Sequence, residues 1–188
     1  MLTFLLGGAR SGKSALAEEL ARRSGGPVTY LATCPRIDGD HELDDRIARH
    51  RAERPAGWTT IEEEIDLAGA TAAATDDFLV VDCLTLWVNN LVHHGTSDDE
   101  LLRASRLAIE SVRRRSGSSV VVSNEVGPGI VPAAPATRRY RALLGRVNRQ
   151  WAEAADRSVF LVAGRALPLL DPVQLLDLPH ASGPGGTR

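Results

Sequence analysis

Short apolar runs recur along this chain of 188 residues, separated by polar and glycine-containing segments. A run of this kind, bounded by turn residues, is typical of a strand buried on both faces of a parallel sheet. Strands are therefore predicted at 2–6, 27–33, 78–87, 119–125 and 158–164, with WTTIEE at 58–63 as a further candidate.

Segments of helical periodicity separate the predicted strands, over 14–23, 41–53, 66–75, 98–115 and 137–155. Because strands and helices alternate along the chain, the predicted fold is α/β, a three-layer domain with a mostly parallel central sheet. Residues 1–179 are expected to form this single domain. Residues 180–188, HASGPGGTR, have no apolar periodicity and are expected to be a disordered tail.

The composition narrows the class of protein. The apolar share is 43% and the formal net charge is -2, which does not favour a general nucleic-acid-binding surface. Two cysteines cannot organise the fold through disulfides, and this fits a reducing cytoplasm. The apolar run at 2–6 is too short for a membrane span or a signal core. We therefore expect a cytoplasmic protein without a membrane span.

The segment GGARSGKS at 7–14 matches the phosphate-loop pattern G-x-x-x-x-G-K-[ST] and lies between a predicted strand and a predicted helix. Its glycines allow backbone N–H groups to approach phosphate oxygens, and the helix N-terminus favours an anion. Lys13 supplies a positive charge to the outer phosphates, and the Ser14 hydroxyl can bind Mg²⁺. The alternative is a tight turn with an accidental lysine, but the context favours a P-loop NTPase-like domain that binds a nucleotide.

Asp82 is the predicted partner of the phosphate loop. It ends an apolar strand, where P-loop proteins place the acid that holds the metal. The alternative interpretation is that Asp82 caps the helix that follows. Ser14 and Asp82 are thus the candidate Mg²⁺ ligands.

A histidine among arginines is the second candidate site. On a helix, Arg46, His50 and Arg54 share one face, and Arg49 and Arg51 flank the histidine. The arginines favour a neutral imidazole and can hold phosphates, so His50 is a candidate nucleophile toward phosphorus. Spacing alone favours a solvated amphipathic helix over this role, since acidic residues occur in the same segment.

The remaining histidines carry less information. His93 and His94 lie near a predicted helix end, which favours a surface or capping position. Their spacing to other residues matches no zinc-binding pattern.

Several motifs in order along the chain resemble those of the bifunctional adenosylcobinamide kinase/adenosylcobinamide-phosphate guanylyltransferase family of cobalamin biosynthesis. They are GGARSGKS at 7–14, YLAT at 30–33, RIARHRAERPAGWTTIE at 46–62, SNEVGPGIVP at 123–132 and GRVN at 145–148. The phosphate loop occurs in many families, whereas the motifs at 46–62 and 123–132 are far more specific.

The resemblance implies two reactions. A γ-phosphoryl group of ATP or GTP is transferred to the hydroxyl of adenosylcobinamide. His50 then takes GMP from GTP and releases pyrophosphate, and adenosylcobinamide phosphate accepts the GMP to form adenosylcobinamide-GDP. The resemblance also implies a homo-oligomer, with a trimer as the family pattern.

The predicted site combines both lines of reasoning. The catalytic residues are His50 and Lys13. The loop supplies Gly7, Gly8, Ala9, Arg10, Ser11, Gly12, Lys13 and Ser14 to the nucleotide. The resemblance adds Ala32, Thr33, Cys34, Arg51, Ala52, Glu53, Arg54, Glu62 and Asp82.

Three features leave questions open. Arg149 stands where the family usually has glutamine. Asn124 and Glu125 end a predicted strand, and they either contact substrate or metal or form a turn that positions the next glycines. The stretch LTLWVNNLV at 84–92 either covers the large corrinoid or belongs to the core.

Two other functions are compatible with a phosphate loop. A nucleotide-dependent switch or ATPase would transfer nothing and gives no reason for a histidine among arginines. A kinase of another small molecule, without the guanylyltransferase step, would make His50 dispensable.

Overall fold

A computed structural model describes residues 1–35, 48, 51–52, 54–74 and 77–176. The chain forms strands β1 (Leu2–Gly7), β2 (Val28–Ala32), β3 (Thr59–Glu62), β4 (Phe78–Asp82), β5 (Ser119–Asn124), β6 (Arg157–Val162) and β7 (Arg165–Leu169). The helices are α1 (Lys13–Arg23), α2 (Leu67–Ala73), α3 (Leu84–His93), α4 (Asp98–Arg114), α5 (Pro135–Ala154) and α6 (Pro172–Leu176).

The strands form one sheet in the order β3-β2-β4-β5-β1-β6-β7. All neighbours are parallel except β6 and β7, which form an antiparallel hairpin. The predicted mostly parallel α/β sheet is confirmed. The carboxyl ends of β2, β4, β5 and β1 consequently meet at one edge, where ligands of such sheets bind.

Alternating strand residues enter two apolar layers. Leu5 and Val122 pack with α1 on one face, whereas Phe4 and Val121 pack with α3, α4 and α5 on the other. A strand residue and its neighbour point to opposite faces, so strands covered on both sides need continuous apolar runs. This explains why periodicity identified the central strands.

The helices α4 and α5, on the second face of the sheet, begin at residues that favour a helix start. Ser97 and Glu100 form a capping box at α4, in which each side chain bonds the other's backbone N–H. Pro135 occupies the first turn of α5, where its missing N–H costs nothing. Within the described part of the chain, no helix has the length and apolar character needed to cross a bilayer.

Two strand predictions were wrong in extent. The predicted strand 78–87 ends at Asp82, and its second half is α3. Leu84, Trp87, Val88 and Leu91 are buried at helical spacing, and this period decides the structure there. The predicted strand 158–164 ends at Val162, where a tight turn begins.

The structure also contains elements that periodicity did not identify. β7 follows a two-residue turn at Ala163 and Gly164, both of which have positive φ. It is an exposed edge strand containing Pro168, so neither burial nor alternation marks it. The short helix α6 was also missed. The predicted tail at 180–188 and most of the predicted helix 41–53 lie outside the described residues.

Candidate functional site

The phosphate loop connects β1 to α1 at the carboxyl edge of the sheet. Arg10 and Gly12 have φ of 56° and 100°, and Gly12 caps the amino end of α1. A Cβ on Gly7 would collide with the carbonyl oxygen of Leu161 on β6, so this position requires glycine. The loop therefore curls tightly and presents the positive end of a helix dipole, as phosphate binding requires.

Lys13 is almost fully buried within this loop, at 6% exposure. Its Nζ donates hydrogen bonds to the Gly8 carbonyl at 2.6 Å and to Ser11 Oγ at 3.3 Å. Burial lowers the pKa of Lys13, and the acidic groups of Cys83 and Asp82 act in the opposite direction. The ammonium group is thus held inside the loop that would surround a phosphate.

Asp82 lies at the end of β4 and accepts a hydrogen bond from the Tyr30 hydroxyl at 2.6 Å. Burial raises the pKa of Tyr30, and the Asp82 carboxylate adds to this effect, so the phenol remains a donor. The N-cap of α3 is Cys83, which makes no side-chain capping bond. Asp82 therefore does not cap α3, and its carboxylate is turned toward β2.

The chemistry of Ser14 and Asp82 fits Mg²⁺. Mg²⁺ is commonly bound by one or two protein oxygens together with substrate phosphates and water. Ser14 lies in the first turn of α1, directly after Lys13. Among the described residues, no group of three or more His, Cys, Asp or Glu side chains could hold a metal by itself. The residues present thus suit a cation that arrives with a nucleotide.

The end of β2 is tied to the start of α3. The Thr33 hydroxyl donates to the Cys83 carbonyl at 2.7 Å and accepts from the Cys83 N–H at 2.8 Å. Asn90 donates to the Thr33 carbonyl at 2.9 Å. Thr33 is fully buried, whereas Ala32 and Cys34 are half-buried. The Thr33 side chain and backbone thus tie the end of β2 to the start of α3 at the edge of the site.

The segment after position 50 returns to this edge through Arg54. The Arg54 guanidinium lies 3.7 Å from the centroid of the Tyr30 ring. Trp58 stacks against Tyr30 at a centroid distance of 6.4 Å, and Arg22 of α1 lies 5.9 Å from the Trp58 ring. Arg54 also donates weakly to Thr60 Oγ1 at 3.4 Å. These contacts hold Arg54 and Trp58 against the ring whose hydroxyl bonds Asp82.

Arg51 forms an ion pair with Glu62 at the end of β3, at 3.2 Å. Both side chains are exposed, and the neighbouring Ala52 is exposed as well. Two predicted binding residues therefore already contact each other. Several predicted residues lie outside the described part of the chain, namely Arg46, Arg49, His50 and Glu53.

Glu125 follows β5 and lies beside the phosphate loop, where its N–H donates to the Gly7 carbonyl at 3.1 Å. Its carboxylate accepts a hydrogen bond from the Gly127 N–H in its own loop. It also lines an open pocket of about 330 Å³ with loop residues 8–11, Pro128 and residues 160–163. The structure therefore contains the turn that was one of the two interpretations of Glu125, since its carboxylate bonds Gly127.

Asn148 of α5 holds the end of β5 from the opposite face. It accepts from the Ser123 hydroxyl at 2.6 Å and donates to the Asn124 carbonyl at 3.0 Å. The neighbouring Arg149 is exposed and pairs with Glu153 at 2.7 Å. Among the described residues, Arg149 contacts no member of the candidate site, whereas the buried Asn148 supports the end of β5.

Two other interpretations are resolved. Trp87 is fully buried and donates to the Ile65 carbonyl at 2.8 Å, so the suggestion that it covers a corrinoid is wrong. His93 and His94 are exposed at the end of α3, as their position in the sequence indicated.

Sequence reasoning missed Tyr30 and Trp58 as members of the site. Tyr30 was assigned to a strand and to the motif YLAT but to no site, although it is the one aromatic residue in an otherwise aliphatic and threonine-containing run. Its position two residues before the strand end places it on the same face as Ala32, near the carboxyl edge. This spacing is the signal that could have identified it.

The sequence and the fold are both similar to those of known proteins. The profile of the family described as cobinamide kinase / cobinamide phosphate guanyltransferase matches residues 3–169. The bifunctional adenosylcobalamin biosynthesis protein CobP of Pseudomonas aeruginosa is 45% identical over 90% of this chain and 97% of its own length. CobU of Salmonella typhimurium is 36% identical over 87% of this chain and 97% of its own length.

The same name, bifunctional adenosylcobalamin biosynthesis protein CobU, belongs to an Escherichia coli protein that is 35% identical over 87% of this chain and 97% of its own length. The solved structure of a Pyrococcus horikoshii OT3 protein, Project ID PH0250, aligns with a TM-score of 0.53. It is 9% identical and covers 89% of this chain and 84% of that chain, so it supports the fold alone.

Proposed function

The chain belongs to the cobinamide kinase / cobinamide phosphate guanyltransferase family, and we propose that a guanylylated His50 carries GMP in the second of its two reactions. Family membership confirms the resemblance seen in the motifs, and with it the predicted kinase and guanylyltransferase activities. The histidine, the metal and the individual site residues extend beyond that membership and are proposed here.

In the first reaction, the hydroxyl oxygen of adenosylcobinamide attacks the γ-phosphorus of ATP or GTP. The bond to the bridging oxygen breaks, and the nucleoside diphosphate leaves. Lys13 and the loop N–H groups are placed to hold the phosphate oxygens and their developing charge. Bound Mg²⁺ would neutralise charge on the phosphates, with Ser14 and Asp82 as its protein ligands.

In the second reaction, the neutral imidazole of His50 attacks the α-phosphorus of GTP, and pyrophosphate leaves. A phosphate oxygen of adenosylcobinamide phosphate then attacks the same phosphorus. The phosphorus–nitrogen bond breaks, which frees His50 and forms adenosylcobinamide-GDP. Arg51 and Arg54 are proposed to hold the phosphates of GTP during both displacements.

The observation that carries this proposal is the position of Arg54 on Tyr30, whose hydroxyl bonds Asp82. His50 precedes Arg54 by four residues, so the chain keeps it within about 14 Å of Arg54 even when fully extended. Because the chain ties His50 to Arg54, we propose that His50 acts at this edge of the sheet.

The test is covalent labelling with Mg²⁺ and α-labelled GTP. Label should remain on the denatured chain and be released by acid, as expected of a phosphoramidate. His50→Ala should abolish labelling while the kinase step continues, and His94→Ala is the matched control at an exposed histidine. A His50→Ala variant that labels like the parent would exclude His50 as the nucleophile.

Lys13→Ala should weaken nucleotide binding and remove both activities, since the same loop is proposed to serve both reactions. Binding of a fluorescent GTP analogue and both turnover rates provide the measurement. Unchanged turnover would refute the assignment of the phosphate loop.

We also propose a cytoplasmic homo-oligomer, a trimer by family resemblance, whose domain spans residues 1–179. Support comes from apolar side chains that are exposed on β7, on α6 and between them, at Leu167, Leu169, Leu170, Val173, Leu175 and Leu176. A surface of this kind commonly packs against another chain. Light scattering coupled to size-exclusion chromatography would measure the mass of the assembly.

A further inference from the structure

Tyr30 contacts two groups of the candidate site at once. It is buried at 2% exposure on β2, and neither the motifs nor the proposed reactions assign it a role. We propose that Tyr30 is a positioning residue, whose hydroxyl orients Asp82 and whose ring supports Arg54. This inference rests on the proposed roles of Asp82 in metal binding and of Arg54 in GTP binding.

The sheet register brings the hydroxyl to Asp82. Ala32 pairs with Asp82 across the parallel strands β2 and β4, and Tyr30 pairs with Val80. Tyr30 thus lies two residues before the level of Asp82, and its long side chain reaches forward to Oδ2 at 2.6 Å. Within the described part of the chain, no donor bonds the other oxygen, Oδ1. The hydroxyl therefore fixes the carboxylate and leaves one oxygen to a ligand.

The ring supports Arg54 without using its hydrogen-bond donors. A guanidinium lying over an aromatic face is held through its own flat face, so its N–H groups point outward along its edge. Arg54 Nε is buried and has no hydrogen-bond partner among the described residues. A buried donor of this kind is costly unless a ligand satisfies it, and a phosphate oxygen is the matching acceptor.

A tyrosine that served only core packing would need its ring but would not need the hydrogen bond from its hydroxyl to Asp82. The ring does pack in the layer under α1, with Val80 and Trp58. Core packing needs the ring but not the hydroxyl, and phenylalanine would satisfy it. The hydroxyl instead bonds a carboxylate at the strand end that faces the phosphate loop. The two contributions can therefore be separated by substitution.

Tyr30→Phe tests the hydroxyl alone, since the ring that contacts Arg54 and Trp58 remains. The matched control is Tyr140→Phe, which removes the other tyrosine hydroxyl of the chain, a donor to the Thr85 carbonyl at 3.1 Å. Mn²⁺ affinity in the presence of a non-hydrolysable GTP analogue, measured by electron paramagnetic resonance, is the readout independent of turnover.

We expect Tyr30→Phe to weaken Mn²⁺ binding by about fivefold to tenfold, which matches the loss of one charge-assisted hydrogen bond. Metal-free affinity for the nucleotide should stay within about twofold, and Tyr140→Phe should change neither value. At saturating metal, kcat should return to near the parent value, because the defect lies in metal binding. Unchanged Mn²⁺ affinity in Tyr30→Phe would overturn the inference.

A double-mutant cycle with Asp82→Asn separates positioning from a general packing effect. If the hydroxyl acts through Asp82, Tyr30→Phe has little further effect on Mn²⁺ affinity in the Asp82→Asn background. Independent, multiplicative losses would overturn the inference. If Asp82→Asn itself leaves Mn²⁺ affinity unchanged, the metal role of Asp82 fails first and the Tyr30 inference falls with it.

Tyr30→Leu tests the ring. It should lower covalent GMP labelling well below that of Tyr30→Phe, even at saturating metal, because Arg54 loses its support. Arg54→Ala removes the same guanidinium without opening the core and should lower labelling to the same extent, so it replaces Tyr30→Leu if that variant does not fold. If Arg54→Ala is labelled as strongly as Tyr30→Phe, the proposed role of the ring is refuted.

Discussion

The ends of β4 and β5 have similar sequences, but the fold uses their two carboxylates differently. In each, a run with consecutive valines leads to an acidic residue, directly at Asp82 and after two polar residues at Glu125. Asp82 is bonded by Tyr30 from the neighbouring strand and has one oxygen without a described donor. Glu125 is bonded by Gly127 in its own loop. The same local pattern thus produces one carboxylate oriented across the sheet and one that closes a turn. The neighbouring elements, and not the pattern, decide which role each acid has.

The comparison predicts that the two acids differ most in catalysis. Asp82→Asn should lower both transfer reactions on the order of 100-fold, because it removes the charge proposed to bind the metal. Glu125→Gln should stay within about threefold, since the amide oxygen can still accept from Gly127. Turnover of both reactions across a Mg²⁺ series provides the measurement. If both variants lose the same share of turnover, the two carboxylates do not have different roles.

Asn148 should matter for stability rather than for chemistry. Asn148→Ala leaves the buried Ser123 hydroxyl and Asn124 carbonyl without this partner, which should lower the free energy of unfolding by about 2–3 kcal/mol. Denaturant unfolding measures this loss. Arg149→Ala, at the exposed neighbour, should cost no more than about 0.5 kcal/mol. If the two variants unfold alike, Asn148 does not hold the end of β5.

Gly127 should contribute modestly to the Glu125 turn. A Cβ at this position would lie 2.6 Å from Glu125 Oε1, so Gly127→Ala should displace the carboxylate and cost about 1 kcal/mol. Gly145→Ala is the control with the opposite sign, since its Cβ would meet nothing within 4 Å in α5 and should stabilise by about 0.5–1 kcal/mol. Thermal unfolding of both variants is the measurement. In a Glu125→Ala background the cost of Gly127→Ala should vanish, and a cost that persists there would contradict the clash.

Tyr140 bonds the Thr85 carbonyl near the end of β5, and its ionisation should affect stability only at high pH. Burial raises the pKa of Tyr140 to about 12. In Tyr30→Phe, where Tyr140 is the remaining tyrosine, tyrosinate absorbance should rise near pH 12 in the folded protein and near about 10 after denaturation. Because the unfolded chain loses its proton first, stability should fall as pH rises through this window. Ionisation near 10 in the folded protein would show that Tyr140 is not buried.

Features that depend on local pattern could be predicted from the amino-acid sequence. Central strands were recognisable because both faces of a parallel strand are buried, which requires a continuous apolar run. The phosphate loop was recognisable because its glycines, lysine and serine must occur at fixed spacing between a strand and a helix. The specific motifs at 46–62 and 123–132 identified the family, which the comparisons confirmed.

Other features depend on contacts between segments that are distant in sequence, and only the folded structure shows them. The bond from Tyr30 to Asp82 joins residues 52 positions apart and exists only because β2 and β4 are neighbours in register. The second half of the predicted strand 78–87 forms α3, because its apolar side chains at helical spacing pack in one layer with those of α4 and α5. The antiparallel β7 is an exposed edge strand, so no burial pattern marks it. In each case a pairing in space selected one of several structures that the local sequence allowed.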